Sequence, residues 1–284
     1  MASNELVAPV VKWVGGKRQL IQQIAPLIPK VYTTYCEPFL GGGAVLFHLQ
    51  PKHAVVNDAN SDLIELYVVI RDCVEELIES LGAHENTAEY FYEIRAIDRD
   101  KERYAALSPV DRASRLIYLN KTCYNGLFRV NNAGEFNTPF GAYKNPNIVN
   151  AVTLRAVSKY LRENDIVFSS GDFAQVLASL PEKSFVYFDP PYDPVSDSSA
   201  FTGYTSGGFG RDEQIRLREC CDELNERGIR FLLSNSDTEF IREQYSSYTI
   251  DTVQAARNIN SRGDRRGNVS EVLVRNYRAP RKRQ

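Results

Sequence analysis

Positions 185–192 read Phe-Val-Tyr-Phe-Asp-Pro-Pro-Tyr, an apolar run that passes directly into an acidic turn with two prolines. The run predicts a β-strand over 184–188, and the turn begins at Asp189. Ligands of open α/β sheets bind in the crevice beyond the carboxyl ends of the strands. Asp189 is therefore expected to stand at the functional edge of a sheet.

Strand and helix patterns alternate on both sides of this run. Strands are predicted at 34–37, 54–57, 166–169, 184–188, 229–234, 248–253 and 270–277. Helices are predicted at 18–28, 44–49, 60–81, 172–180 and 212–227. Repeated strand–helix units imply a parallel sheet covered by helices, so the predicted fold class is α/β. The last two strands, which no helix joins, are predicted to form an antiparallel pair at the sheet edge.

The segment 86–150 does not follow this alternation. Strand signals are sparse, Tyr and Arg residues cluster, and the sequence then becomes rich in turn residues. The tripeptide Asn-Ala-Gly at 132–134, with short extended runs on both sides, predicts a hairpin or loop tip. We therefore predict an inserted domain at 86–150 between the two parts of a catalytic domain, 1–85 and 151–284.

Composition limits the class of protein. The 284 residues are 43% hydrophobic and 25% charged, which is typical of a globular chain and excludes a disordered, collagen-like or coiled-coil protein. Apolar runs fall far short of the roughly 20 residues that a membrane span needs. Five cysteines without C-x-x-C spacing, three histidines and no recognisable signal peptide favour a cytoplasmic protein without disulfides or a His-rich metal site.

Charge is unevenly distributed along the chain. The net charge is −2, so the whole molecule is not a basic nucleic-acid binder. Residues 112–144, however, contain five basic side chains and one acid, and residues 257–284 contain nine basic side chains and two acids. Local basic faces on a near-neutral protein can bind a polyanion, although a solvated tail is the better interpretation of 278–284.

The turn at 189–192 has the chemistry of an amine-binding site. Pro190 and Pro191 have no backbone N–H to donate, so their carbonyls are expected to remain free as acceptors beside the Asp189 carboxylate. Such acceptors suit the hydrogens of an amine, and Tyr192 can stack on the face of a flat ring. The alternative is a strand-ending turn with a capping Asp. Asp189 is expected to be exposed at the strand end and not buried in the core.

A second candidate site follows the first predicted strand. The sequence Glu-Pro-Phe-Leu-Gly-Gly-Gly at 37–43 would let a ligand approach the backbone closely, although it matches neither G-x-G-x-x-G nor a P-loop. Asp58 ends the next strand, where an acid can accept hydrogen bonds from ribose hydroxyls. Together, in this order, they indicate an adenosine-containing ligand.

A third candidate is Lys-Trp-Val-Gly-Gly-Lys at 12–17. Its tight Gly-Gly turn beside Lys17 suggests contact with a phosphate or a carboxylate. The alternative is that Trp13, the sole tryptophan, is a core residue and that the two lysines are solvated.

Taken in order, these motifs resemble those of the Dam-type, or D12 class, DNA adenine-N6 methyltransferases. The order is Lys-Trp-x-Gly-Gly-Lys at 12–17, Glu-Pro-Phe-x-Gly-Gly-Gly at 37–43, Asn-Asp at 57–58, Gly-Asp-Phe at 171–173 and Asp-Pro-Pro-Tyr at 189–192. Further similarity lies in Tyr-Asn-Gly-Leu-Phe-Arg-Val-Asn at 124–131, Gly-Glu-Phe-Asn-Thr-Pro-Phe-Gly at 134–141 and a late run with Ser-Arg-Gly at 261–263 and Ser-Glu-Val at 270–272. The resemblance covers about Val11 to Tyr277.

The resemblance implies a seven-stranded S-adenosylmethionine-dependent methyltransferase sheet with an inserted, mainly helical target-recognition domain. It implies S-adenosylmethionine as methyl donor, without a metal, and N6 of adenine in double-stranded DNA as acceptor, most often within GATC. It implies the cytoplasm of a bacterial or phage-infected cell, and no obligate protein partner is evident.

The resemblance also assigns residues to roles. The implied catalytic residues are Asp189, Pro190, Pro191 and Tyr192. The implied cofactor-binding residues are Trp13, Lys17, Phe39, Gly41, Asp58, Asp172, Phe173 and Asp189. The implied DNA-binding residues are Lys12, Tyr124, Asn125, Leu127, Arg129 and Pro139. Phe128 and Val130, which flank Arg129, vary between relatives, so the exact recognition site is less determined than the chemistry.

Two alternatives remain open at this point. Another acceptor with an NH2 group, such as N4 of cytosine, an RNA base or a protein glutamine, would suit the same oxygen acceptors. A catalytically silent DNA-binding regulator on this fold is the second alternative, although the intact Asp189 and the glycines at 41–43 speak against it. None of the five cysteines follows a proline, so the Pro-Cys nucleophile of C5-cytosine enzymes is missing.

Overall fold

The computed structural model describes residues 4–195, 208–256 and 268–279. Within them, seven strands form one sheet in the order β3-β2-β1-β4-β5-β7-β6. The strands are β1 (Tyr35–Glu37), β2 (His53–Asp58), β3 (Asp165–Ser170), β4 (Phe185–Phe188), β5 (Arg230–Ser236), β6 (Thr249–Ala256) and β7 (Asn268–Arg275). The α-helices are α1 (Ile21–Ile24), α2 (Ala44–Leu49), α3 (Ser61–Asp72), α4 (Val74–Gly82), α5 (Ala88–Ala96), α6 (Lys101–Ala106), α7 (Pro109–Thr122), α8 (Ala151–Glu163), α9 (Phe173–Ala178), α10 (Arg211–Glu226) and α11 (Glu239–Gln244).

The sheet is parallel except at β7. Parallel pairs join β3 to β2, β2 to β1, β1 to β4 and β4 to β5. β7 runs antiparallel to both β5 and β6, and β6 lies at the edge. The antiparallel pair and the seven-stranded sheet are therefore confirmed. Parallel pairing also brings the carboxyl ends of β2, β1, β4 and β5 to one edge, which is where the site must be sought.

The side chains of β4 show how the sheet is covered. All four residues of Phe185–Phe188 are buried, and they alternate between the two faces as strand geometry requires. Phe185 and Tyr187 join a hydrophobic cluster with side chains of α3, α7 and α8. Val186 and Phe188 join a second cluster with side chains of α9, α10 and α11. Helices therefore pack on both faces, which confirms the α/β class.

Two helix predictions are wrong in extent. The segment 18–28 contains only the four-residue α1 between 3-10 turns at Lys17–Gln19 and Ala25–Leu27, and Pro26 in the second turn has no N–H for a helical bond. The segment 60–81 is two helices, α3 and α4, divided at Cys73, whose backbone has φ −133° and ψ 42°. The apolar spacing continues across Cys73, so periodicity alone does not reveal this bend.

Residues 86–150 contain the helices α5, α6 and α7 and have a small apolar core of their own. Its buried members are Phe91, Tyr118, Leu119, Cys123 and Phe136. The predicted hairpin tip is confirmed, because Val130 bridges to Phe136 and Gly134 has a φ of +77°. Other side chains of α7 pack into the main cluster beside the sheet, so this helix joins the segment to the rest of the fold. The boundaries of an inserted domain stay a prediction.

Two further observations concern the described ranges. Their helices include none that is long and apolar enough to cross a membrane. All five cysteines are free thiols. The basic stretch at 257–267, a candidate polyanion-binding face, and the residues 280–284, interpreted as part of a solvated tail, lie outside the described residues.

Candidate active site

Four polar side chains stand at the carboxyl edge of the sheet. Glu37 ends β1, Asp58 ends β2, Asp189 follows β4 and Ser234 lies near the end of β5. These strands are neighbours in the order β2-β1-β4-β5, so the four residues line one continuous edge. Glu37 and Ser234 are not among the predicted site residues, although both stand at strand ends, the same signal that singles out Asp58 and Asp189.

Lys17 forms an ion pair with Asp189 at this edge. Its Nζ atom lies 2.6 Å from Asp189 Oδ1 and donates to the carbonyl oxygen of Gly15, also at 2.6 Å. The Lys17 side chain is 5% exposed and that of Asp189 is 19% exposed, so the expectation of an exposed Asp189 is wrong. The turn at 12–17 folds over the strand end and withdraws both charges from water. The carboxylate that Lys17 contacts belongs to the protein itself, and a contact of Lys17 with a ligand stays a prediction.

Neighbouring groups set the charge state of Asp189. Burial raises the pKa of this carboxyl, while the Lys17 ammonium and a hydrogen bond from Ser234 Oγ at 3.2 Å oppose the rise. Burial also raises the pKa of Glu37 well above its usual range, although the hydroxyl of Tyr35 donates to its carboxyl at 2.8 Å. The Lys17 pair therefore favours the ionised form of Asp189, which is the form that accepts hydrogen bonds.

The two proline carbonyls are not equivalent. The carbonyl oxygen of Pro191 accepts a hydrogen bond from Gln214 Nε2 at 2.8 Å, so the expectation that both carbonyls stay free is wrong. Gln214, on α10, accepts in turn from Asn235 Nδ2 at 3.0 Å, and Asn235 accepts from the backbone N–H of Asp193 at 3.0 Å. This buried polar network fixes the turn. No local motif marks its members, because their partners are distant in sequence.

Tyr192 is held from two directions. Its hydroxyl donates to Glu271 Oε2 at 2.8 Å, and Lys17 Nζ lies 4.6 Å from the centre of its ring. Burial raises the pKa of Tyr192 well above its usual range, and the charges of Asp189 and Glu271 raise it further. The phenol therefore stays protonated and acts as a donor.

The glycine turn after β1 lies against Trp13 and Asp58. The backbone N–H of Gly41, whose φ is +49°, donates to Asp58 Oδ2 at 2.8 Å. A Cβ atom on Gly41 would stand 3.0 Å from Trp13 Cδ1, so a larger residue would press on the indole. Trp13 also stacks on Phe128, with ring centres 4.7 Å apart, and packs against the main core. The structure thus brings three predicted cofactor residues into contact.

An aromatic group lies beside this turn. The ring centres of Phe39 and Phe173 are 5.2 Å apart, and Phe209 packs edge-on against Phe39 at 5.6 Å. Asp172 caps α9, since its Oδ1 accepts from the N–H of Ala174 at 2.9 Å. Phe209 was not predicted, because it follows a long polar stretch and carries no motif.

Asn120 links Lys12 to the turn that carries Tyr124 and Asn125, all three of them predicted DNA-binding residues. Its Oδ1 accepts from the backbone N–H of Lys12 and its Nδ2 donates to the Lys12 carbonyl, both at 2.8 Å. The same Nδ2 lies 3.3 Å from the carbonyl of Gly126, next to Tyr124 and Asn125. Asn120 is 2% exposed, so this link is shielded from water. The Lys12 ammonium bonds the carbonyl of Asn125.

The remaining predicted DNA residues lie on or beside the hairpin. The backbone N–H of Tyr124 donates to the carbonyl of Pro139 at 2.8 Å, and the Tyr124 ring is exposed. Leu127 N–H donates to the carbonyl of Tyr124 at 3.2 Å. The exposed Arg129 donates from Nε to Asn137 Oδ1 at 2.8 Å, a contact across the hairpin. All six predicted DNA residues therefore belong to one neighbourhood of contacts.

Metal ligands do not cluster here. Throughout the described ranges, no group of three or more His, Cys, Asp or Glu side chains has a geometry that could hold a metal ion. The carboxyl groups at the sheet edge are bonded to a lysine, a tyrosine, a serine and backbone N–H groups.

A seven-stranded mixed sheet with a glycine turn and carboxylates at its edge is consistent with the fold of the S-adenosylmethionine-dependent methyltransferases. Residues 13–259 match the D12 class N6 adenine-specific DNA methyltransferase family, and the chain belongs to this family. The protein is an adenine-specific DNA methyltransferase, and DNA is its substrate.

Named relatives are similar over nearly their whole length. The type II methyltransferase M1.LlaDCHI of Lactococcus lactis subsp. cremoris is 44% identical, over 95% of this chain and 95% of its own. The type II methyltransferase M.MjaIII of Methanocaldococcus jannaschii is 41% identical, over 95% of this chain and 99% of its own. The DNA adenine methylase of Escherichia coli is 35% identical, over 93% of each chain.

Proposed function

We propose that the protein transfers a methyl group from S-adenosylmethionine to N6 of adenine in double-stranded DNA, within the sequence GATC. The observation that carries the proposal is the Asp189 carboxylate, paired with Lys17 beside the Tyr192 ring, at the strand end next to the Gly41–Asp58 turn. An acceptor for amine hydrogens thus adjoins a turn suited to a nucleoside.

The side chains at the sheet edge suit S-adenosylmethionine as the cofactor. Its sulfonium and ammonium groups are cationic, and Asp58 and Asp189 place carboxyl groups along the edge. Phe39 and Phe173 offer apolar faces for its adenine. The residues proposed to hold it are Trp13, Lys17, Phe39, Gly41, Asp58, Asp172, Phe173 and Asp189.

The proposed reaction needs only hydrogen-bond acceptors and positioning from the protein. The lone pair of adenine N6 is delocalised into the ring, which makes the amine a poor nucleophile. Asp189 and the Pro190 carbonyl would accept its hydrogens and localise the lone pair as positive charge develops on nitrogen. Tyr192 would stack on the base, and Lys17 keeps Asp189 ionised. The cofactor supplies the electrophilic methyl group, which is transferred in line.

The target adenine has to leave the duplex to reach Asp189, because a stacked base cannot enter a pocket at the sheet edge. Lys12, Tyr124, Asn125, Leu127, Arg129 and Pro139 are proposed to contact the DNA. Arg129 is proposed to read a guanine, since a bond from Nε to Asn137 orients the guanidinium without using its terminal nitrogens. The segment 86–150, which carries most of these residues, is proposed as the target-recognition domain.

The test is methylation of two matched duplexes with S-adenosylmethionine in a buffer containing a chelator. One duplex contains GATC, and in the other GATC is changed to GTAC. N6-methyladenine is expected in the first and not in the second, together with protection of the first from a nuclease that GATC adenine methylation blocks. Methylation of both duplexes would reject GATC specificity, and N4-methylcytosine would reject the acceptor. Asp189→Ala is the inactive control.

A further inference from the structure

Glu271 links β7 to the turn that carries Asp189. Glu271 Oε2 accepts the hydroxyl proton of Tyr192 at 2.8 Å, although the two residues are 79 positions apart. The Tyr192 ring faces Lys17 Nζ at 4.6 Å, and Lys17 is paired with Asp189. A continuous set of contacts therefore runs from β7 to the acceptor carboxylate.

The place of Glu271 in β7 is unusual for a carboxyl group. The residue is 7% exposed, and Val272, Leu273 and Val274 after it are fully buried. β7 lies inside the sheet, where Glu271 is opposite Ser236 of β5 and Val253 of β6. Burying a carboxyl group is costly unless it is well hydrogen-bonded, and an apolar side chain would suit such a strand better. The hydrogen bond that Glu271 Oε2 accepts comes from the phenol of Tyr192, in the turn at 189–192.

We propose that Glu271 is a positioning residue for methyl transfer, which anchors the Tyr192 hydroxyl and so fixes the ring beside the Lys17–Asp189 pair. This rests on the proposed role of Tyr192 as the platform for the target base. A ring anchored at its hydroxyl cannot swing about its Cβ, so a stacked base keeps its amine aligned with Asp189. The burial of Tyr192 supports this arrangement, because it raises the pKa of the phenol, which therefore stays protonated and can donate to Glu271.

The proposal predicts a loss in turnover and not in binding. Glu271 lies behind Tyr192 and contacts neither the Gly41–Asp58 turn nor the segment around Asn120 in any bond the structure shows. Loss of one positioning hydrogen bond is expected to lower kcat about five- to tenfold. The dissociation constants for S-adenosylmethionine and for DNA are expected to change by no more than about twofold, because the contacts proposed to bind each of them are kept.

The experiment is a double-mutant cycle with single-turnover kinetics on the GATC duplex. Glu271→Leu and Tyr192→Phe are each expected to slow the chemical step, and the double variant to be no slower than the slower single variant, because both remove the same bond. Glu271→Gln, whose amide oxygen can still accept, is expected to restore most of the rate. Multiplicative losses, an unchanged rate in Glu271→Leu, or a Gln variant as slow as the Leu variant would each overturn the proposal.

Asp251→Asn is the matched control. Asp251 lies on β6 in the same antiparallel pair, bonds Arg275 at 3.0 Å and is partly exposed, so this variant loosens the strands without reaching Tyr192. Its rate is expected to equal that of the wild type, and an equal slowing would show that Glu271 acts only by holding the sheet together. If Glu271→Leu does not fold, Glu271→Asp replaces it, since the shorter side chain withdraws the acceptor and keeps the charge.

The two levels of inference fail in different ways. A wild-type protein that makes no N6-methyladenine from S-adenosylmethionine would contradict the proposed function. An active wild type whose Glu271→Leu variant turns over normally would contradict only the role of Glu271.

Discussion

A lysine and an aspartate that lie together below the surface constrain one another's chemistry. Lys17 and Asp189 are 5% and 19% exposed, and each would be costly to leave without the other. The Lys17 ammonium therefore has two effects on Asp189. It offsets the energetic cost of burying the carboxylate, and it keeps that carboxyl group ionised, the form that accepts amine hydrogens. The residue proposed to hold the cofactor is thus also the one that maintains the acceptor.

Asp189→Asn is expected to lower kcat about 100-fold or more, the size typical for loss of a group that stabilises charge in a transition state. The amide oxygen can still accept a hydrogen bond, but the buried Lys17 ammonium loses its counter-charge, so the unfolding free energy is expected to fall by on the order of 3 kcal/mol. Urea denaturation and methylation assays measure the two effects separately. The double variant with Lys17→Met should regain stability but not activity, and activity in either variant would disprove the role of Asp189.

Lys17→Met is expected to move the acidic limb of the kcat–pH profile to higher pH. Asp189 must be ionised to accept, its pKa is already raised by burial, and the Lys17 ammonium lowers it. Removing that ammonium raises the pKa further, so ionisation and turnover are lost at a higher pH than in the wild type. Lys17→Arg, which keeps the charge, should retain the wild-type limb. The profile is measured at saturating S-adenosylmethionine, and identical limbs in all three proteins would contradict this coupling.

Among the elements, α7 is the helix that connects the segment 86–150 to the sheet. Its residue Asn120 joins the backbone of Lys12, which precedes the sheet, to the turn at Tyr124–Gly126, and other α7 side chains enter two separate hydrophobic clusters. In that turn Asn125 has a left-handed φ of 57°, so the backbone itself is held in a sparsely populated conformation. Asn120 thereby fixes the relative placement of residues proposed to contact DNA.

Asn120→Ala is expected to weaken DNA binding by about tenfold while the affinity for S-adenosylmethionine changes little. Three hydrogen bonds of about 1 kcal/mol each are lost, so the unfolding free energy should fall by about 2–3 kcal/mol as well. Fluorescence anisotropy with a labelled GATC duplex measures the affinity for DNA, and calorimetry measures the affinity for S-adenosylmethionine. Asn164→Ala removes a side-chain bond to Tyr160 at the end of α8 and is the control. Equal losses for both ligands would indicate general unfolding.

Elements that follow from local patterning were predictable, and those that depend on distant partners were not. The buried strand at 185–188 and the acid after it were visible because apolar runs and strand-end acids are local signals. The bend at Cys73 was not, because the apolar spacing continues through it. Glu271 lies in the late Ser-Glu-Val run of the resemblance, but its contact with Tyr192 could not be predicted, and Gln214 carries no motif, because only the fold brings either residue to the turn at 189–192.

At the scale of the whole molecule, stability should depend on a histidine far from the sheet edge. His84 lies stacked on Tyr118, with ring centres 4.3 Å apart, and its nitrogens bond Tyr90 and Ser114 at 2.9 and 3.0 Å. Burial lowers the pKa of His84 from 6.5 to about 4. The neutral imidazole is therefore part of the packing between α5, α7 and the end of α4.

The pH dependence has a definite sign. Between pH 6.5 and about 4 the unfolded chain binds a proton at His84 that the folded chain does not, so the contribution of this residue to stability is lost as the pH falls. His84→Gln should be less stable than the wild type near pH 7, with a difference that narrows towards pH 4. Urea midpoints at several pH values test this, with the exposed His48→Gln as control. A constant difference across the range would contradict a neutral His84.

The reversed strand β7 has a consequence for the biosynthesis of the enzyme. β5 and β6 leave the ribosome before β7, the strand that separates them in the finished sheet. Among the described strands β6 pairs only with β7, so until β7 docks β6 is unpaired and the phenol of Tyr192 lacks its acceptor, Glu271. A nascent chain caught at that stage would hold Asp189 and the glycine turn but not an anchored ring. The Tyr192 ring would thus reach its anchored position only after β7 has docked between β5 and β6.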